Sequence, residues 1–272
     1  MPAAPVPSLP EPDETPLTGG NVSDGVARVG DTVRRPAGPW TPAVHALLRH
    51  LRSVGFDAAP RPLGIDDRGR EILTFAPGRT LWPDRMDLLD PPERLARVAR
   101  LVRDYHDAAA GFTPPPDAAW QYLVPVPDDA PTVIGHLDIA PWNLVVDEST
   151  DSWVLIDWDN ARPTTRLWDL AYACHGFVRL TPVPAFGRPD RQTADRLRLF
   201  ADAYGLDERE RRDLVPLLGG RVRGMHDFLA AQAALGVEPW ATHWREGHGD
   251  AWRTDAEYIE ARADLWLRAL LG

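Results

Sequence analysis

The chain has 272 residues, 44% hydrophobic and 26% charged, with a formal net charge of −10; that is enough for one two-lobed enzyme or two modest domains with a real core. The acid excess argues against nucleic acid as the main partner, because phosphate backbones demand concentrated positive charge, and it weakly favours cationic ligands. No segment approaches the ~20 consecutive apolar residues of a membrane span, and the single Cys174 leaves no internal disulfide framework and fits a reducing cytoplasm.

Residues 1–16 are rich in proline and acid, without the basic and apolar regions of a signal peptide, and read as a disordered leader. From 17 to 77 the order is strand, strand, strand, helix, strand, strand. Gly30-Asp31 turns into T-V-R-R, Pro36 to Pro39 break that strand, and Thr41-Pro42 opens a helix as N-cap and first-turn proline, ending near Ser53 and Gly55. A hairpin follows, R-P-L-G-I and E-I-L-T-F around D-D-R-G. Ala76-Pro77-Gly78 reads as a hinge, leaving 78–272 as a second, mainly helical part.

Asp90-Pro91-Pro92-Glu93 looks like a capping box. Leu95, Val98, Ala99, Val102, Tyr105 and Ala109 then share one helical face, with His106 in a structural place beside them. Further on, a helix over 191–204 stops at Gly205. Another starts at Asp207 with Glu210 as capping partner and Pro216 as a kink, and Ile259, Ala263, Trp266, Leu267 and Leu270 mark a C-terminal helix.

The chemistry concentrates in T-V-I-G-H-L-D-I-A-P-W-N-L-V-V, 132–146, and W-V-L-I-D-W-D-N, 153–160. Two apolar strands each end on a polar set: His136, Asp138 and Asn143, then Asp157 and Asp159. Asp and Asn are also ordinary turn residues, but a plain hairpin needs few polar groups, and here four carboxylates or amides converge. The spacing H-x-D-x-x-x-x-N is that of the protein-kinase catalytic loop, and an Asp on the next strand completes a metal site.

With R-L-W-D-L-A-Y-A at 166–173, these motifs resemble the aminoglycoside phosphotransferase family of kinase-like small-molecule phosphotransferases, in a trifolitoxin-immunity-like branch. The resemblance covers about 17–272, with Leu137 where the family signature carries glycine. It implies an α+β, two-lobed protein-kinase-like fold: a small, mainly antiparallel β lobe at 17–77 that binds nucleotide, and a larger helical lobe at 78–272 for catalysis and acceptor binding. Asp138 is then the catalytic residue that orients and deprotonates a hydroxyl, while Asn143 and Asp157 hold Mg²⁺ for ATP or GTP. His136 braces the loop, Asp169 is structural, and Asp159 is either a further carboxylate at the metal or a capping group.

The sequence contains no lysine, so the usual strand Lys on the nucleotide phosphates is missing. Arg34 and Arg35 occupy the matching strand and are the candidates to replace it; the next helix offers His45 and His50 but no carboxylate. The run E-P-W-A-T-H-W-R-E-G-H-G-D-A-W, 238–252, is either an acceptor wall suited to a cationic or sugar-like ligand or an aromatic-packed connection. Two functions follow: transfer of the nucleotide γ-phosphoryl group to a small-molecule hydroxyl, with aminoglycoside-like antibiotics among the candidate acceptors, or a degenerate immunity protein that sequesters a ligand without turnover.

Overall fold

The computed structural model describes residues 14–17 and 25–272. Most of the expected leader, and the Gly-flanked start of the strand expected before Val29, lie outside the described residues. Glu14–Pro16, expected in the leader, instead form a strand, β1. It pairs antiparallel with β2 (Ala27–Val29), and β3 (Thr32–Pro36), β4 (Pro62–Ile65) and β5 (Arg70–Thr74) complete a five-stranded sheet in the order β1-β2-β3-β5-β4.

Helix α1 (Thr41–Ser53) carries Val44, Leu47, Leu48 and Leu51 on one buried stripe, the 3.6-residue period of an amphipathic helix. Its cap differs from expectation. Trp40 is the N-cap residue, and the Thr41 hydroxyl accepts the Gly38 N–H at 2.9 Å. Gly78, at the expected hinge, has φ +117°, and a Cβ there would lie 2.5 Å from the Val146 carbonyl, so only glycine lets the chain pass.

Beyond it come β6 (Arg79–Thr80), α2 (Pro92–Ala109), β7 (Val133–Gly135), β8 (Leu144–Asp147), β9 (Ser152–Leu155) and β10 (Arg162–Thr164). Then follow α3 (Arg166–Cys174), α4 (Asp190–Tyr204), α5 (Glu208–Ala234), α6 (Trp240–Arg245), α7 (His248–Glu260) and α8 (Ala263–Leu271). The apolar face expected for α2 is buried throughout. Its start has no capping box: Pro91 is the N-cap residue, without a side-chain bond, and Asp90 turns away to pair with Arg188. The box at Asp207 and Glu210 is present in both directions. Pro216 sits inside α5 without interrupting it, so the helix is about 40 Å long at 1.5 Å per residue. The expected C-terminal helix is two helices: Ile259 is buried from the last turn of α7, and Trp266 and Leu270 are buried from α8. No helix of the described residues is long and apolar enough to cross a membrane.

Candidate active site

The antiparallel pairing of β8 with β9 sets Leu144 opposite Leu155. Residues just before β8 and just after β9 therefore emerge at one end of the hairpin, and the Ile156 N–H donates to the Asn143 carbonyl at 2.9 Å. This brings Asn143 and Asp157 together. Asn143 reaches back through its amide N–H groups to the Asp138 carboxylate at 2.8 Å and the Asp138 carbonyl at 3.0 Å. Asp138, Asn143, Asp157 and Asp159 all line one cleft of about 1160 Å3. Burial, and then the nearby Asp157 charge, push the Asp138 carboxyl up to about 7, where a carboxylate can act as a base near neutral pH.

The loop that carries Asp138 is held from beneath. Asp169 accepts the backbone N–H of His136 at 2.8 Å and of Leu137 at 2.7 Å, and the His106 ring at 3.1 Å. Burial works against its charge, but these donors outweigh burial and keep its pKa below the ordinary value. Tyr204 closes the chain on the other ring nitrogen of His106 at 2.7 Å. A Cβ at Gly135 would lie 2.5 Å from Thr164 and 3.0 Å from Asp169, which explains the glycine. His136 takes the Asp138 N–H on Nδ1 and donates from Nε2 to the Ile156 carbonyl at 3.1 Å. Burial lowers its pKa, so it stays neutral; its bonds tie the Asp138 loop to the segment bearing Asp157.

Leu137 and Asp157 are both left-handed, with φ +62° and +64°. A non-glycine residue there stores about 1–3 kcal/mol of strain, and the surrounding bonds must hold it. Leu137 thus adopts the backbone that glycine would adopt at this position. Its carbonyl is taken by Arg221 of α5 at 2.9 Å.

On the sheet side the two arginines part. Strand alternation sends Arg34 to the far face, where it donates to Thr32 at 2.6 Å and lies 3.7 Å from Asp66. Arg34 is therefore withdrawn as a nucleotide-contact candidate, because its side chain does not line the cleft. Arg35 points inward, buried, donating to Asp157 at 3.0 Å and also to Asp159. Its burial opposes the charge, and Asp157, Asp159 and Glu71 more than compensate, so its pKa is raised.

Arg35 also lies 3.6 Å from Glu71, which bonds His45 at 2.8 Å. The acid missing from α1 is thus supplied by β5, where Glu71 stands directly opposite Arg35 in the sheet register. Asp159 sits within this group, its carboxyl pushed up to about 6 by burial, against the pull of Arg35. Asn143 and Asp157 offer hard oxygen donors at the cleft, a set that fits Mg²⁺, which takes one or two carboxylates and leaves its other positions to water and phosphate.

Much of the rest of the cleft lining is aromatic. Trp142, Tyr172 of α3, Trp240 of α6 and Trp252 of α7 line it, with His243 and His248. Tyr172 stacks on Trp252 with centroids 6.1 Å apart and meets Trp142 edge-on at 6.3 Å. The 238–252 segment thus contributes lining residues rather than only a packed connection. Buried Arg221 lies over the Tyr172 ring at 4.2 Å, with its positive charge felt by Asp138. Tyr172, Glu71 and Arg221 were given no role from sequence; of the three, only Tyr172 lies within a recognised motif, R-L-W-D-L-A-Y-A.

Residues 116–200 match the family model of the phosphotransferase enzyme family. The trifolitoxin immunity protein of Rhizobium leguminosarum bv. trifolii is 34% identical over 248 residues, covering 86% of this chain and 92% of that protein. This chain belongs to the phosphotransferase enzyme family. Its place there is the trifolitoxin-immunity-like branch expected from the motifs. Among solved structures, a choline/ethanolamine kinase family protein from Mesorhizobium loti aligns with TM-score 0.65 at 16% identity, over 96% of this chain and 93% of that one. An ethanolamine kinase from Plasmodium vivax gives 0.64 at 12%, over 92% and 84%. An amicoumacin kinase solved with AMP-PNP, Ca²⁺ and its ligand gives 0.63 at 12%, over 93% and 89%. The family member therefore has the two-lobed, kinase-like α+β fold.

Proposed function

We propose that this phosphotransferase transfers the γ-phosphoryl group of ATP or GTP, with Mg²⁺, to a hydroxyl of a small molecule. The observation that carries the reading is the convergence of Asp138, Asn143, Asp157 and Arg35 on one end of the β8–β9 hairpin. Residues 17–77 hold the nucleotide and residues 78–272 supply the catalytic loop and acceptor wall. Mg²⁺, when bound through Asn143 and Asp157, supplies neutralisation of the phosphate charge.

Asp138 orients the acceptor hydroxyl and takes its proton as the oxygen bonds to the γ-phosphorus and the bond to the β-phosphate oxygen breaks, releasing the nucleoside diphosphate. Asn143 and Tyr172 fix that carboxylate. Asp169, His136 and Arg221 hold the loop beneath it. Arg35, pre-positioned by Glu71, exchanges its bonds to Asp157 and Asp159 for the nucleotide phosphates; a guanidinium makes two parallel N–H bonds to such an oxyanion pair.

A second reading, a kinase-like immunity protein that binds its ligand without turnover, draws on Arg35 already being engaged by the metal-side carboxylates. Incubation with Mg·ATP or Mg·GTP and a panel of hydroxylated antibiotics, followed by mass spectrometry for phosphorylated product, separates the two. Phosphorylated product supports transfer. Ligand binding with Mg·nucleotide bound but no product from any bound compound supports sequestration.

A further inference from the structure

We infer that the acceptor is a planar, oxygen-rich hydroxyl compound, neutral or anionic, and not a polycation; this rests on the phosphotransferase reading and narrows its substrate class. The argument starts from charge. The carboxylates among the described lining residues are Asp138, Asp157 and Asp159. Asp157 serves the metal and Asp138 the hydroxyl, which leaves Asp159, bound by Arg35 until nucleotide enters, as the one remaining acid. The acceptor side adds two buried guanidiniums, Arg162 and Arg221, and no spare acid. Several ammonium groups brought into this wall would be desolvated without partners, a heavy cost.

The donors give the second line. Of the buried polar atoms left unpaired on the described cleft-lining residues, all but Asn160 Oδ1 are N–H groups: Arg35 Nε, the indoles of Trp40 and Trp168, and Nε and Nη1 of Arg221, with Trp168 and Arg221 5.9 Å apart. Buried donors demand acceptors, so the ligand should bring carbonyl, carboxylate or similar oxygens rather than ammonium donors. The third line is shape. Trp142, Trp240 and Trp252 line the cleft with partly open rings around the buried Tyr172, and flat apolar bodies gain most from stacking on such rings. A sugar or phenolic hydroxyl on that body then reaches Asp138.

The test uses 8-anilinonaphthalene-1-sulfonate, a planar aromatic anion, as the probe of the full chain, with kanamycin as the polycation. The expected result is one saturable fluorescent site. Trp168→Phe, which keeps the ring and removes the N–H, should weaken it about fivefold, and Trp252→Ala at least as much. Kanamycin should neither displace the probe nor raise the melting temperature.

No saturable site, or kanamycin binding more tightly than the probe, would overturn the inference. So would unchanged affinity in both variants with native circular dichroism, the outcome if ordered water already satisfies these donors. Stabilisation by Mg·ATP or Mg·GTP is measured on the same wild-type sample. Its absence would sink the phosphotransferase reading while leaving the probe result to stand or fall by itself.

Discussion

At the phosphate end of the cleft Arg35, Glu71, His45, Asp157 and Asp159 hold one another in an ion-paired group. On the acceptor wall the polar groups instead sit among rings, and Trp168 and Arg221 keep buried N–H groups without partners, whereas the unpaired Arg35 Nε–H still lies 3.6 Å from the Glu71 carboxylate. The difference separates two kinds of preparation. The first end is set for one invariant partner, a charged phosphate with its metal, so its charges can be pre-arranged and exchanged on binding. The second offers flat surface and unspent donors, which select a ligand by shape and by the oxygens it brings.

The sharpest way to break that contrast is to remove the groups that do the chemistry. Asp138→Ala and Asp157→Ala should each cut turnover of the true acceptor roughly a hundredfold or more. The two should differ in binding: Asp138→Ala keeps Mg·nucleotide affinity in a calorimetric titration, and Asp157→Ala loses its metal dependence. Wild-type turnover in either variant would show the assigned role to be wrong.

Next in size is Arg35→Ala. Considered as an isolated inward charge, Arg35 would contribute little to stability, but it is bound to three carboxylates. Its removal leaves Glu71 buried without its cation, and breaking such a pair costs about 3–5 kcal/mol. Chemical denaturation should register that loss, together with weakened nucleotide binding. Arg35→Lys should recover most of the stability, and would put back the lysine that kinase-like strands usually carry. A stable Arg35→Ala protein with unchanged nucleotide affinity would refute the exchange of partners proposed for this residue.

Tyr172→Phe should act less strongly, since it removes one hydroxyl beside Asp138 and keeps the ring that stacks on Trp252. A lost hydrogen bond of this type is worth about 1 kcal/mol, so kcat should fall about fivefold with acceptor KM little changed. A larger change in KM than in kcat would make Tyr172 an acceptor contact instead. Smallest is Arg34→Ala, the outward neighbour, expected within about 0.5 kcal/mol of wild type with unaltered nucleotide affinity.

These effects follow how much of the site could be read from the chain. Asp138, Asn143 and Asp157 were legible because a single hairpin gathers them, and local spacing is what a sequence displays. Which arginine faces inward is a matter of strand alternation, but the choice of Arg35 needed the sheet. Glu71 was hidden for the same reason: nothing marks it until β5 is known to lie beside β3, with Arg35 and Glu71 in register. Arg221 lies 84 residues from the Leu137 carbonyl it holds, on a helix whose polar residues look like a solvated face. Distance also misled the reading of Asp90, a plausible cap drawn off by Arg188, which is 98 residues away. The helix period of α2 was plain, since its buried face repeats along the local sequence, and Gly205 and the Asp207–Glu210 box marked where α4 ends and α5 begins, whereas the break after Glu260 has no proline or glycine to announce it.

The central claim is that the Arg35 and hairpin groups form a Mg·nucleotide site. The most direct measurement is the melting temperature of wild type and Asp157→Asn with Mg²⁺ alone, nucleotide alone and both together. Ligands that bind only the folded state raise it by mass action. The account predicts a rise in wild type with Mg·ATP or Mg·GTP that exceeds either component alone and is largely lost in Asp157→Asn. Equal shifts in the two proteins, or no shift with either nucleotide, would contradict it.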